Sequence, residues 1–295
     1  MIHTIGIPAF PDYELLDSGN FQKLERFGPW ILSRPEPQAI WSPAMPQSEW
    51  DALAMGVFTR KTGKGGEDDG NWSLKPGMPE QWFIRYGHGA LQFQLRMGLT
   101  AFKHVGVFPE QADNWNYIYR TIPQLPGKPP SILNLFAYTG AASLAAKAAG
   151  ADVVHVDSVK PVISWARQNM EASGLKDIRW ALEDALKFAR KEAKRGRIYQ
   201  GIILDPPAYG RGPEGEKWLL DRDLKELLEY CSAILDPEGH FVILNLYSMG
   251  FSALIADNLM RQYFPWAKGL ESGELYVPDQ RGFRLPLGIF SRFHK

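Results

Sequence analysis

The sequence predicts an α/β protein: a mostly parallel sheet with an antiparallel C-terminal edge, behind a small, mainly β N-terminal domain. Three observations predict it. From residue 131 onward, short apolar runs alternate with stretches of helical length. Within that region SILNLF, AYTG and the alanine-rich AASLAAKAA read as buried strand, tight loop and helix, closed by Gly150. Before residue 125 the pattern differs: short aromatic-rich runs lie between Gly, Pro and Asp-Ser breakers.

Taken in order, Tyr13–Leu16, Trp30–Arg34 and Ala39–Trp41 read as short strands. Thr62 to Gly77 reads as an exposed loop. Its Gly63-Lys64-Gly65-Gly66 piece lacks the spacing of a phosphate loop. Trp82–Tyr86 and Leu91–Leu95 form two strands around a Gly-His-Gly turn, and Leu99–Phe108 is a third segment. Pro109 then opens a helix. QLPGKPP, residues 124–130, is a stiff linker, so the expected division is 1–125 and 126–295. Beyond it come strands at Ile132–Leu135, Val153–Asp157, Ile178–Leu182, Gly201–Asp205 and His240–Leu246. The helices between and after them are Ala141–Ala149, Pro161–Ser173, Ala185–Arg195, Leu219–Leu235 and Phe251–Phe264. Glu274–Val277 and Leu287–Arg292 supply the antiparallel pair.

Thirty-three basic residues balance 33 acidic ones, so any nucleic-acid contact must rest on a local patch. One cysteine, Cys231, excludes an intrachain disulfide and a multi-cysteine metal site. No apolar run has membrane-spanning length, and the N-terminus lacks the pattern of a secretory signal; the cytoplasm is the expected compartment.

The residues that suit chemistry sit at successive strand ends, where an open α/β sheet binds its cofactor. Asp157 ends the second strand of the sheet, the position from which a carboxylate accepts from two ribose hydroxyls. Asp184, followed by Ala185, suits an adenine amine; it equally suits an N-cap. Asp205-Pro206-Pro207 ends the fourth strand, and the prolines stiffen the turn and remove two donors. Tyr209 is either a stacking surface for a base or an ordinary surface tyrosine. The basic run Arg190, Lys191, Lys194, Arg195 and Arg197 is either a phosphate contact or a solvated helix face.

The set Asn134-Leu135-Phe136-Ala137-Tyr138-Thr139-Gly140, Asp157, Asp184 and Asp205-Pro206-Pro207 resembles the Rossmann-like class I S-adenosylmethionine-dependent methyltransferases. The NLFAYTG loop is similar to that of the bacterial large-subunit rRNA cytosine-C5 branch. Lys103, His104, Phe108 and Gln111 sit where that branch closes over its cofactor. The resemblance covers about residues 85–295. It implies S-adenosylmethionine as cofactor. Phe136, Ala137, Tyr138 and Gly140 would hold its methionine part, Asp157 its ribose, Asp184 and Ala185 its adenine, with Asn134, Thr139 and Ser158 also in the cofactor site. Asp205, with Pro206 and Tyr209, would form the catalytic side.

The chain departs from that branch twice. C5 methylation needs a cysteine nucleophile, and Ser248 occupies its place, while Cys231 falls inside a helix as a core thiol. Residues 1–60 also do not resemble the branch's RNA-binding module. The expected activity is therefore methylation of RNA, rRNA-like, at nitrogen or oxygen, or at carbon without a cysteine. The alternatives are a small-molecule or protein methyltransferase and a non-catalytic S-adenosylmethionine-binding RNA or assembly factor.

Overall fold

The computed structural model describes residues 2–61, 69–127, 129–247 and 250–295. The first strand, β1 (Ile2–Gly6), leaves the N-terminal region at once and pairs with a strand near the C-terminus. A five-stranded sheet follows, in the order β2 (Tyr13–Gly19), β3 (Gln22–Phe27), β4 (Trp30–Pro35), β5 (Gly56–Arg60) and β6 (Gly70–Leu74), with α1 (Gln47–Leu53) inserted before β5. The hairpin β7 (Gln81–His88) and β8 (Leu91–Gly98) comes next. A 3-10 turn over Pro109–Gln111 then leads into α2 (Ala112–Thr121).

The second half alternates as its sequence pattern requires. The elements are β9 (Ser131–Leu135), α3 (Ala141–Ala148), β10 (Asp152–Asp157), α4 (Lys160–Ala172), β11 (Ile178–Leu182), α5 (Ala185–Lys194) and β12 (Gly201–Leu204). A small hairpin, β13 (Tyr209–Arg211) and β14 (Lys217–Leu219), precedes α6 (Leu220–Ala233), β15 (Phe241–Tyr247), α7 (Ala253–Tyr263), β16 (Glu271–Pro278) and β17 (Arg284–His294). The large sheet has the order β1-β16-β17-β15-β12-β9-β10-β11. From β15 to β11 neighbouring strands are parallel, and β17 runs antiparallel between β15 and β16. The all-apolar strand β12, GIIL, is buried throughout because helices cover both faces of a parallel sheet. One face packs with α2, α3 and the hairpin β7–β8, the other with α5, α6 and α7.

The mostly parallel sheet with an antiparallel C-terminal pair, behind a β-rich N-terminal sheet, is the expected fold class. Several local expectations differ. The C-terminal pair is not the outermost edge, because β1 pairs beyond β16. The division at residue 125 is crossed by β1 and by α2, which packs on α3. Ala39–Trp41 is not a strand. Its backbone instead meets the β2–β3 turn, with Phe21 N–H donating to Ala39 at 2.8 Å and Asn20 N–H to Trp41 at 2.7 Å. Leu99–Phe108 forms only an isolated bridge, Phe102 with Asp69, because Gly106 turns the chain at φ +104°. The glycine-rich piece 63–66 lies outside the described residues.

Candidate active site

The loop 136–140 leaves β9 in a conformation that side chains rarely adopt. Phe136, Tyr138 and Gly140 have φ of +57°, +49° and +90°. Left-handed backbone at two bulky aromatics costs energy and persists only where the surroundings hold it. Here they do. Ala137 N–H donates to Val156 at 3.0 Å, Gly140 N–H to Ala137 at 3.0 Å, and Tyr138 N–H to the Asp157 carboxylate at 2.9 Å. The Thr139 hydroxyl donates to Gly106 at 2.7 Å, and the Asn169 amide donates to the Thr139 carbonyl at 2.8 Å. The Phe136 ring lies 4.8 Å from that of Trp218, and Tyr138 lies 5.3 Å from Phe108. A Cβ at Gly140 would stand 3.2 Å from Ala166, a crowded contact, and its φ of +90° already disfavours a side chain.

This loop forms one wall of a cleft. Phe108, Gln111, Asn134, Phe136, Ala137, Tyr138, Thr139, Gly140 and Asp205 line it, nine of the residues expected at the site. With them stand Asn114, Trp115 and Asn245, which sequence reasoning missed. The only signal was an asparagine in the otherwise apolar run HFVILNL. The Asn114 amide donates to Gln111 at 3.0 Å and to Asn245 at 2.8 Å, joining α2 to β15 across the cleft. The Asn134 amide donates to Ser143, whose hydroxyl lies 3.1 Å from His155 Nδ1. Burial holds His155 neutral, with a pKa pushed down to about 3.

The remaining expected residues lie outside that lining. Asp157 ends β10 with one carboxylate oxygen on Tyr138 N–H and the other on Val159 N–H, each at 2.9 Å. Burial raises its pKa, against the pull of those backbone donors. Ser158 follows it. Asp184 caps α5, accepting from Lys187 N–H at 2.9 Å, and Ala185 is the buried first residue of that helix. The Lys103 carbonyl accepts from Arg34 at 3.0 Å, and the His104 ring lies 5.2 Å from Phe108. Pro206 is buried, whereas Tyr209 is exposed on β13, where its hydroxyl accepts from Arg211 at 2.7 Å. The Pro207 carbonyl does not face a ligand, because it accepts from the Trp218 indole at 2.7 Å.

Asp205 itself stands at the end of β12 with a carboxyl that burial pushes up to about 7. Among the described residues no side chain donates to it. The basic run on α5 is largely neutralised: Arg190 pairs with Glu226 at 2.6 Å, Arg195 with Glu192 at 2.8 Å, and Lys191 with Glu183. It forms a solvated helix face. Cys231 is buried in α6 with a thiol pushed well above its ordinary pKa by desolvation, and it lines no part of the cleft. Ser248 lies outside the described residues.

Aromatic faces suit a sulfonium. The convergent amides suit an amino-acid head, and a strand-end carboxylate on the next strand suits a ribose. The donor set therefore fits S-adenosylmethionine. No family model matches the sequence. A solved S-adenosylmethionine-dependent methyltransferase from Agrobacterium tumefaciens is 37% identical, covering 99% of this chain and 93% of that one with a TM-score of 0.88. The chain belongs to the S-adenosylmethionine-dependent methyltransferases.

Two curated relatives are narrower in extent. The ribosomal RNA large subunit methyltransferase K/L of Shewanella frigidimarina is 28% identical over 156 residues, 52% of this chain and 21% of that protein. The ribosomal RNA large subunit methyltransferase I of Photobacterium profundum is 33% identical over 138 residues, 43% of this chain and 33% of that protein. The matches thus span a fifth to a third of the length of these relatives. A methyltransferase solved in complex with SAH shares the fold at 18% identity and a TM-score of 0.72, over 96% of this chain and 75% of that one. Among the described residues no helix is long and apolar enough to cross a membrane, and no group of three or more His, Cys, Asp or Glu could hold a metal ion.

Proposed function

We propose that this chain transfers the methyl group of S-adenosylmethionine to RNA, of ribosomal type, at a nitrogen or an oxygen. The observation that carries the reading is Asp205, a carboxyl without a side-chain donor, in the same cleft as the strained loop 136–140. The RNA part is supported by the likeness to two ribosomal RNA methyltransferases.

When bound, S-adenosylmethionine supplies an electrophilic methyl group on a sulfonium. Asn134 and residues Phe136 to Gly140 hold its methionine part. Asp157 and Ser158 hold the ribose, and Asp184 with Ala185 the adenine. Phe108 and Gln111 close the cleft, together with Lys103 and His104. Asp205 and Pro206 orient the acceptor, and Tyr209 flanks the approach. Nitrogen and oxygen acceptors are nucleophilic already, so the protein's task is proximity and alignment. No thiolate is required, which agrees with the burial of Cys231.

The test is transfer of label from methyl-tritiated S-adenosylmethionine to RNA fractions, to cell protein and to the small-molecule pool, with wild type and Asp205→Asn. Label in RNA that the variant abolishes is expected. Label confined to protein or small molecules would replace the substrate class. Cofactor binding without any turnover would mark a non-catalytic RNA or assembly factor.

A further inference from the structure

Three successive carbonyls in the segment that leads to the cleft are held by the N-terminal sheet. Gly70 N–H of β6 donates to Ala101 at 2.9 Å, the Trp72 indole to Phe102 at 3.4 Å, and Arg34 Nη1 of β4 to Lys103 at 3.0 Å. Further along, Gly98 N–H at the end of β8 donates to Val105 at 3.1 Å, and the Thr139 hydroxyl of the cofactor loop donates to Gly106 at 2.7 Å. The segment ends at Phe108, whose ring packs on Tyr138 at 5.3 Å, and both rings line the cleft. An unbroken path of contacts thus runs from the N-terminal sheet to the cleft wall.

Arg34 is the buried member of the three ties, 4% exposed. Its Nε and Nη2 reach the Glu25 carboxylate on β3 at 2.8 Å and 2.6 Å. Glu25 is fully buried and also accepts the Tyr13 hydroxyl at 2.9 Å. A guanidinium is planar and rigid, so two bonds to Glu25 fix the direction in which Nη1 points. A buried ion pair is costly to desolvate and adds little stability over apolar packing; fixing a register is its best-attested use. Here the register is that of residues 103–108 against the cofactor loop. Lys23 belongs to the same cluster, but its ammonium answers Glu25 at 3.7 Å and Glu36 at 3.3 Å rather than the Lys103 carbonyl.

We propose that Arg34 is a positioning residue of the cofactor site: anchored on Glu25, it places the 103–108 segment so that Phe108 closes on Tyr138 and on bound S-adenosylmethionine. The N-terminal sheet is thereby a working part of the cofactor site. This rests on the reading of Phe108 as a residue that closes the cleft.

The experiment titrates the full chain with S-adenosylmethionine by calorimetry, for wild type, Phe108→Ala, Arg34→Lys, Lys23→Met and the double variant Glu25→Gln with Arg34→Met. Circular dichroism checks that each is folded. Arg34→Lys keeps the charge beside Glu25 but loses the fork that also reaches Lys103. The double variant removes the ion pair without stranding a charge. Affinity should fall by about tenfold or more in both. In the cofactor-free protein the backbone amides of residues 104–108 should exchange faster with deuterium in both. Lys23→Met, which takes a charge from the same cluster, should keep wild-type affinity and wild-type exchange. Wild-type affinity in the double variant, with Phe108→Ala weakened, overturns the inference and leaves the closing role of Phe108 standing. Lys23→Met as weak as Arg34→Lys also overturns it, because charge in the cluster would then be the cause and not the tie to Lys103. Phe108→Ala with wild-type affinity overturns the closing role and the inference with it.

Discussion

The Asp157 carboxylate accepts the backbone N–H of Tyr138 at 2.9 Å, across nineteen residues and two strands. It thereby holds a left-handed tyrosine in place at the wall of the cleft. Replacing Asp157 by alanine removes this tie together with the proposed ribose contact. A hydrogen bond to a charged group contributes ~1.5–3 kcal/mol. Affinity for S-adenosylmethionine should fall by about 10- to 100-fold, measured by calorimetric titration. Wild-type affinity in the variant would remove both roles.

Gly140 combines φ of +90° with a Cβ position 3.2 Å from Ala166. Gly150 has nearly the same φ, +89°, with nothing within 4 Å. Gly150→Ala should therefore cost ~1–2 kcal/mol, the backbone strain alone. Gly140→Ala should cost more and should weaken cofactor binding as well. Thermal denaturation of the two variants separates crowding from strain. Equal losses would mean that Ala166 yields freely.

Arg34 neutralises Glu25, whose carboxyl its burial would otherwise raise; Arg34 and Lys23 together hold it below the usual range. Arg34→Met leaves the buried Glu25 with only Lys23 at 3.7 Å to answer it and should destabilise the protein by ~3–5 kcal/mol in denaturant unfolding. Arg34→Met with Glu25→Gln should regain part of that loss. A double variant as weak as the single one would show that packing, not charge, is what Arg34 supplies.

Glu110 gives stability a pH dependence of stated sign. Its folded pKa, about 7, lies above its ordinary value of 4.5. Between those values the folded state keeps a proton that the unfolded state releases. Its contribution is thus fully present below pH 4.5 and declines as pH rises towards about 7. The loss amounts to ~3 kcal/mol at most. Urea midpoints taken across that window should fall with pH in wild type and fall less in Glu110→Gln. Parallel slopes would place the pH dependence elsewhere.

Cys231 is fully buried, so thiol reagents should leave native protein unmodified and active. Cys231→Ala should cost about 1 kcal/mol of stability and keep methyl transfer. Loss of transfer in a folded Cys231→Ala would restore a covalent route.

Much of the fold was legible because a parallel sheet needs strands that are apolar throughout, and helices that are apolar on one side. GIIL carries that pattern fully, and ILNL and VVHV carry it with one buried polar residue each, Asn134 and His155. The strand-end positions of Asp157, Asp184 and Asp205 followed from order alone. The hairpin β13–β14 was not legible, since its three-residue strands carry no alternation to read. Nor was the helix α1, whose N-cap is a proline with no side-chain hydrogen bond.

The sequence by itself determined the parallel sheet, the loop at its first strand and the cofactor class, because each is written in residues close together along the chain. Only the tertiary structure decided which distant residues meet at the cleft. Asn114 and Asn245 come from two segments far apart in the chain and meet at 2.8 Å across the cleft. Their meaning depends on which charges and donors lie opposite each other once water is excluded, a property of contacts that no local pattern encodes. The pairing of β1 with β16 is of the same kind: residue 2 meets residue 272, and nothing in either segment alone specifies the other.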